Sequence, residues 1–138
     1  MDKAKLAEGL NRDLADELAT VCRYIEQAAM AVGMVAHEVR EFLKAEVTDE
    51  VNHALFLADK VVALGGKPVV RPAAYKVVTE PMAMLEYDLE LERQAIKNYT
   101  ERAQQAEAAR EMGLKVRLEE IIADETDHAE DISRLLGK

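Results

Sequence analysis

Two tetrads in this sequence carry the same chemistry: Glu50-Val51-Asn52-His53 and Glu125-Thr126-Asp127-His128, both of the form Glu-x-x-His. On a helix, positions three apart differ by about 60° in direction and about 4.5 Å along the axis, so one carboxylate and one imidazole can reach the same cation. A further glutamate lies 33 residues before each tetrad, Glu17 before Glu50 and Glu92 before Glu125. Carboxylate oxygen mixed with imidazole nitrogen suits Fe(II) and Mn(II), whereas thiolate ligands would point to zinc or an iron–sulfur cluster.

The halves match beyond these residues. Adding 75 to Glu17, Tyr24, Asp49, Glu50 and His53 gives Glu92, Tyr99, Asp124, Glu125 and His128. The chain is therefore an internal repeat, and each half carries half of one site. The half-sites join only if the two halves face one another, which sets the requirement on the fold.

Ala, Leu, Glu, Lys, Arg and Gln dominate, and β-branched runs are scarce. This is a helical composition. The pattern predicts α1 from about Lys5 to Met30, α2 from about Val35 to Leu64, α3 from about Pro81 to Glu111, and α4 from about Leu114 to Leu136. Gly33 and Gly113 are read as the turns of two antiparallel hairpins. Leu64-Gly65-Gly66-Lys67-Pro68 stops α2 with glycine and then proline, and Pro81 suits the first turn of α3. A helix of roughly 30 residues is ~45 Å long, and the connection from Gly65 to Glu80, extended, reaches ~50 Å. It can run the length of the bundle and start α3 beside α2 and parallel to it. Val69, Val70, Tyr75, Val77 and Val78 argue against a disordered hinge. The expected fold is all-α: a four-helix bundle of two antiparallel hairpins joined by a long crossover, with residues 1–138 as one domain.

Inward stripes spaced alternately by four and three follow from these helices. They are Leu10, Leu14, Glu17, Val21, Tyr24 and Ala28 on α1, and Val39, Leu43, Glu46, Glu50, His53 and Leu57 on α2. On α3 they are Leu85, Leu89, Glu92, Ile96, Tyr99 and Ala103, and on α4 Leu114, Leu118, Ile121, Glu125, His128, Ile132 and Leu135. Glu17, Glu50, Glu92 and Glu125 with His53 and His128 thus interrupt mostly apolar stripes, and Glu46 lies one turn before Glu50. A lone buried carboxylate costs several kcal/mol or takes up a proton, and four together also repel one another. Two divalent cations between them balance the charge with both histidines neutral and no Lys or Arg on the stripes.

Composition narrows the classes. The chain of 138 residues is 49% apolar and 33% charged, so it is neither a disordered tail nor a membrane span, which needs ~20 consecutive apolar residues. The net charge of −9 argues against nucleic-acid binding and suits drawing in cations. One cysteine, Cys22, excludes an internal disulfide framework and fits a reducing, cytoplasmic compartment. No secretory signal opens the sequence.

One Glu from each of two helices, with Glu-x-x-His from each of the other two, resembles the ferritin-like di-iron and di-manganese carboxylate proteins. The order Glu17, Glu50 with His53, Glu92, Glu125 with His128 is most similar to the bacterioferritin family, and the resemblance spans about residues 5 to 137. It implies that Glu17 and His53 bind one metal, Glu92 and His128 the other, and that Glu50 and Glu125 bridge both. The implied cofactors are two Fe ions per chain, with Mn as the alternative. Tyr24, two turns after Glu17, matches a tyrosine near the metal site in ferritins and is the one candidate catalytic side chain. Three departures matter. Bacterioferritins ligate haem with a methionine directly after the first bridging Glu, where this chain has Val51, so no haem is expected. Rubrerythrin-like peroxidases carry an extra Glu where this chain has Ala95, and one cysteine leaves no rubredoxin site. The sequence reaches Lys138 soon after α4, without the fifth helix that lines the four-fold channels of a 24-subunit cage, so a storage shell is not the expectation.

Remaining residues read as follows. Tyr24 and Tyr99 face the core, to bond ligand carboxylates, pass electrons or simply pack. Glu46 either guides ions or lies at the surface, and His37 is a surface residue. Met30, Met34, Met82, Met84 and Met112 fill gaps at helix ends. The outer face of α1 and α2 keeps a second apolar stripe, Leu18, Cys22, Ile25 and Ala29 with Val47, Val51, Ala54, Ala58 and Val62, with Cys22 a buried small residue. The repeat-related face of α3 and α4 is more polar. That asymmetry points to a homodimer through α1/α2, or to a larger assembly; the alternative is that the crossover covers the patch. The function expected is oxidation of Fe(II) by O2 or H2O2 at a dinuclear site. Its competitors are a dimeric di-iron or di-manganese oxidase or peroxidase, and a non-enzymatic interaction bundle.

Overall fold

The computed structural model describes residues 1–138 and contains four helices and no strand. They are α1 Lys3–Met30, α2 Ala36–Ala63, α3 Pro81–Ala108 and α4 Met112–Leu135. None is long and apolar enough to cross a membrane.

Local sequence sets the helix ends. Asp2 caps α1 by accepting the Ala4 N–H (2.8 Å), so the helix starts two residues before the expected Lys5. Glu80 caps α3 by accepting from the N–H groups of Met82 (3.1 Å) and Ala83 (2.8 Å), ahead of Pro81. Gly65 has φ 85°, and the Gly66 N–H closes the end of α2 on the Val61 carbonyl (2.9 Å). The α3–α4 turn departs from expectation. Its left-handed residue is Arg110 (φ 61°), the Glu111 N–H bonds the Ala106 carbonyl (2.8 Å), and Gly113 lies inside the first turn of α4. α3 therefore stops three residues short of the expected Glu111.

α1 packs on α2, and α3 on α4. Side chains of α3 also pair with α1 in antiparallel register, Tyr24 with Glu92 and Tyr99 with Glu17. Because α1 is antiparallel to both α2 and α3, α2 and α3 run parallel, as the long crossover requires. The neighbours of α3 are α4 and α1, however, and not α2 as expected. The crossover lies over α1 and α3. Asn11 clamps it from both sides, donating to the Lys67 carbonyl (3.0 Å) and accepting from the Val69 N–H (2.9 Å). Further on, Ala73 N–H donates to the Ala15 carbonyl (2.9 Å) and Lys76 N–H to the Tyr87 hydroxyl (3.0 Å).

The apolar core is split in two. One cluster contains Leu6, Leu10, Leu14, Leu57 and Leu118, and the other Leu43, Met84, Leu85, Leu89 and Ile132. Some expected core positions differ: Val21 and Ile96 are half-buried and Leu135 is exposed. Met84 fills the core, but Met30, Met34, Met82 and Met112 are exposed at the bundle ends rather than filling gaps. Between the two clusters lies a polar layer.

Candidate metal centre

That layer is made of Glu17, Glu50, His53, Glu92, Glu125 and His128, none more than 6% exposed. Ligand-capable atoms of Glu17, Glu50, His53 and Glu125 lie within 4.8 Å of one another, as do those of Glu50, Glu92, Glu125 and His128. Glu50 and Glu125 are common to both groups. Each group draws on both hairpins, so neither exists before the halves of the repeat meet.

The two histidines are aimed alike. His53 Nδ1 faces Glu125 (3.4 Å), Glu17 (3.5 Å) and Glu50 (3.8 Å). His128 Nδ1 faces Glu50 (3.0 Å), Glu125 (3.4 Å) and Glu92 (4.0 Å). Their Nε2 atoms point the other way, His53 to Asp124 (2.9 Å) and His128 to Asp49 (3.3 Å) and Glu46. A carboxylate behind an imidazole fixes the ring and its tautomer, and makes the inner nitrogen a better donor to a metal. Glu46 thus joins the site's edge beside Asp49 and His128. The part played by Asp49 and Asp124 was not read from the sequence, although both appear in the 75-residue repeat.

The tyrosines cross between hairpins. The Tyr24 hydroxyl donates to Glu92 (2.9 Å), and the Tyr99 hydroxyl to Glu17 (2.6 Å). A second pair of braces lies just outside. Arg23 and Gln27 on α1 donate to Asp88 on α3 (2.8 and 3.0 Å), and Arg102 on α3 donates to Asp13 on α1 (2.8 Å). All five of these residues are buried. They fall off the four-three stripe, which is why the sequence pattern missed them; the signal available was that Asp13 and Asp88 are also 75 apart. Gly9 makes room for one brace, since a Cβ there would collide with the Arg102 guanidinium.

Electrostatics show what this layer lacks. Burial, then the neighbouring carboxylates Glu50 and Glu125, push the Glu17 carboxyl well above the usual range. Burial, then Glu125 and Glu50, do the same to Glu92. Burial opposes charging the histidines, but the surrounding carboxylates outweigh it. The His53 pKa is raised far above its ordinary value, and His128 is pushed up to about 12. Nine buried side-chain N and O atoms in the protein have no hydrogen-bond partner, and seven belong to these six residues: Glu17 Oε2, both Glu50 oxygens, His53 Nδ1, Glu92 Oε2, Glu125 Oε1 and His128 Nδ1. Buried polar atoms are rarely left without partners. A cluster of orphans facing one another is what a pair of hard-to-borderline divalent cations would satisfy.

The chain matches the Ferritin family, described as a ferritin-like domain, over residues 7–138. It belongs to the ferritin-like family. Among characterised relatives, the bacterioferritin of Mycobacterium leprae is 26% identical over 129 residues, covering 93% of this chain and 81% of its own length. The Desulfovibrio desulfuricans bacterioferritin is 29% identical over 100 residues, which is 72% of this chain and 56% of the relative. Among solved structures, a ferritin-like, diiron-carboxylate protein from Bacillus anthracis strain Ames superposes with a TM-score of 0.95 at 40% identity, covering 99% of this chain and 98% of that one. The diiron-site structure of the D. desulfuricans bacterioferritin gives 0.85 at 27% identity, covering 99% and 80%. This ferritin-like bundle therefore has the fold expected from the sequence, and its carboxylate–histidine cluster is a possible metal site of the kind its family holds.

Proposed function

We propose that the protein oxidises Fe(II) with dioxygen or peroxide at a dinuclear centre, with residues 1–138 acting as one functional unit. Glu17 and His53 would hold one ion, Glu92 and His128 the other, and Glu50 and Glu125 both. The observation that carries this is the set of inward-facing orphaned atoms on six side chains from four helices. Iron bound there supplies the electrons that reduce the oxidant.

The remaining chemistry belongs to the chain. Glu50 and Glu125, common to both groups, would offer an oxygen donor to either ion. Tyr24 and Tyr99 hold Glu92 and Glu17 from across the bundle, which limits the swing of the two terminal carboxylates. Asp124 and Asp49 keep the imidazole Nδ1 atoms aimed inward. The split core excludes bulk water on either side of the layer. Mn(II) is the alternative metal, because the donor set suits it equally; Val51 offers no thioether for haem.

Assembly follows from the outer face of α1 and α2. Ile25, Val51 and Val62 are exposed there, and the crossover lies on α1 and α3 instead, leaving this face uncovered. Ala54 is a correction: it is buried in the core and not part of the stripe. Cys22 is half-exposed on that face, not buried as expected. A homodimer through α1/α2 would cover the patch, and light scattering on the purified protein would give the mass that checks it. A lone free cysteine suits a reducing compartment such as the cytoplasm.

Stopped-flow oxidation of Fe(II) tests the assignment. Glu50→Ala or Glu125→Ala removes an oxygen donor from both metal positions and should abolish rapid oxidation. A wild-type rate in either variant would remove the assignment.

A further inference from the structure

Two cavities approach the centre from opposite sides. Each is lined by repeat-related residues, Glu17 and Glu92 in one, Asp49 and Asp124 in the other. They therefore sit at opposite ends of the pseudo-two-fold axis, and their chemistry differs.

The α2/α4 cavity is acidic. Asp49, Asp124 and Glu120 line it beside His53, and its one arginine, Arg117, is held by Glu120 at 3.0 Å. Asp49 and Asp124 are half-exposed, at 53% and 50%. Half-exposed carboxylates at a mouth concentrate cations.

The α1/α3 cavity, about 120 Å³, lies beneath the crossover. Its roof is Ala73 and Ala74, tied down by the Ala73–Ala15 bond, and Ala19 and Ala95 form part of its wall. Its floor is Glu17, Glu92 and Glu125. Of the acids that line it, Asp13 is held by Arg102 (2.8 Å), and the Arg23 guanidinium lies in the same wall. The space is well below the ~300 Å³ where pockets for larger organic ligands begin. Walls of alanine with a few amides and hydroxyls suit a small uncharged molecule.

We propose that this cavity is the oxidant's route, taking dioxygen or hydrogen peroxide, both neutral O–O molecules, to the glutamate side of the centre, while cations arrive from the α2/α4 side. The inference rests on the proposed Fe(II) oxidation and divides its two reactants between two doors.

Nuclear relaxation of the metal-free protein under dissolved dioxygen tests it without any turnover. The methyl group of Ala95 should relax faster, through contact with paramagnetic dioxygen, than that of Ala58, which is equally half-buried but lines neither cavity. Equal enhancement, or more at Ala58, would overturn the proposal. A second arm uses Ala95→Leu, which narrows the cavity. Anaerobic Mn(II) binding should stay as in wild type while Fe(II) oxidation by both oxidants slows severalfold. A loss confined to one oxidant assigns the route to that molecule, and no loss with either overturns the proposal. If Ala95→Leu does not fold, Thr20→Leu fills the same space from the repeat-related position. A wild-type protein that failed to oxidise Fe(II) would sink the proposed function, and the relaxation map would still decide the cavity.

Discussion

Tyr24 on α1 donates its hydroxyl proton to Glu92 on α3 across 2.9 Å of dry interior, and Tyr99 returns the contact to Glu17 at 2.6 Å. Each half of the repeat thus holds a carboxylate of the other. Replacing either tyrosine with Phe keeps the ring but strips a buried carboxyl oxygen of its donor. The expected cost is about 1–3 kcal/mol in the metal-free protein, read from urea unfolding. Tyr99→Phe should cost more, because its bond is the shorter.

Asp124 and Asp49 act through the histidines. Asp124→Asn should weaken metal binding by about 10- to 100-fold, measured by competition with a chelator. Asp49→Asn should do less, since Glu46 also backs His128 and the Asp49 contact is longer, 3.3 against 2.9 Å.

The pH dependence has a definite sign. Glu17, Glu92, His53 and His128 all have pKa values raised by the fold above their ordinary 4.5 and 6.5. What they add to metal-free stability is complete below those ordinary values and is lost as pH rises through the raised ones. Metal must displace these protons, so its affinity rises with pH. Between about pH 5 and 8 the Tm of the metal-free protein should fall while the increase produced by Mn(II) grows. A pH-indicator dye should record protons released on Mn(II) addition.

Removing charge from the layer separates stability from metal binding. The double variant Glu17→Gln, Glu92→Gln leaves less buried acid to compensate, so its metal-free form should melt at a higher temperature than wild type at pH 8. Mn(II) should then raise its Tm little or not at all. Calorimetry of both proteins with and without the metal checks both halves.

Arg110 occupies a left-handed conformation (φ 61°) at an exposed turn. Arg110→Gly should stabilise the protein by about 1 kcal/mol, visible in urea unfolding, with Fe(II) oxidation unchanged.

Much of this was legible from spacing alone. Helical periodicity put Glu50 and His53, and Glu125 and His128, on one inward face, and the offset of 75 joined the two halves. What escaped depends on contacts between helices. Asp49 and Asp124 repeat like the ligands, but their part follows only from the outward aim of each Nε2 across α2 and α4. Arg23–Asp88 and Arg102–Asp13 lie beside the apolar stripe, where periodicity records polar residues as surface. The α3–α4 turn was misplaced because glycine marks a left-handed position only on average, and here Arg110 takes it while Gly113 is helical.

Anomalous diffraction from crystals soaked in Mn(II) tests the central claim most directly. Two peaks per chain are expected, one among Glu17, His53, Glu50 and Glu125, the other among Glu92, His128, Glu50 and Glu125. A chain with no peak among these six side chains, or with its metal bound elsewhere, would contradict it.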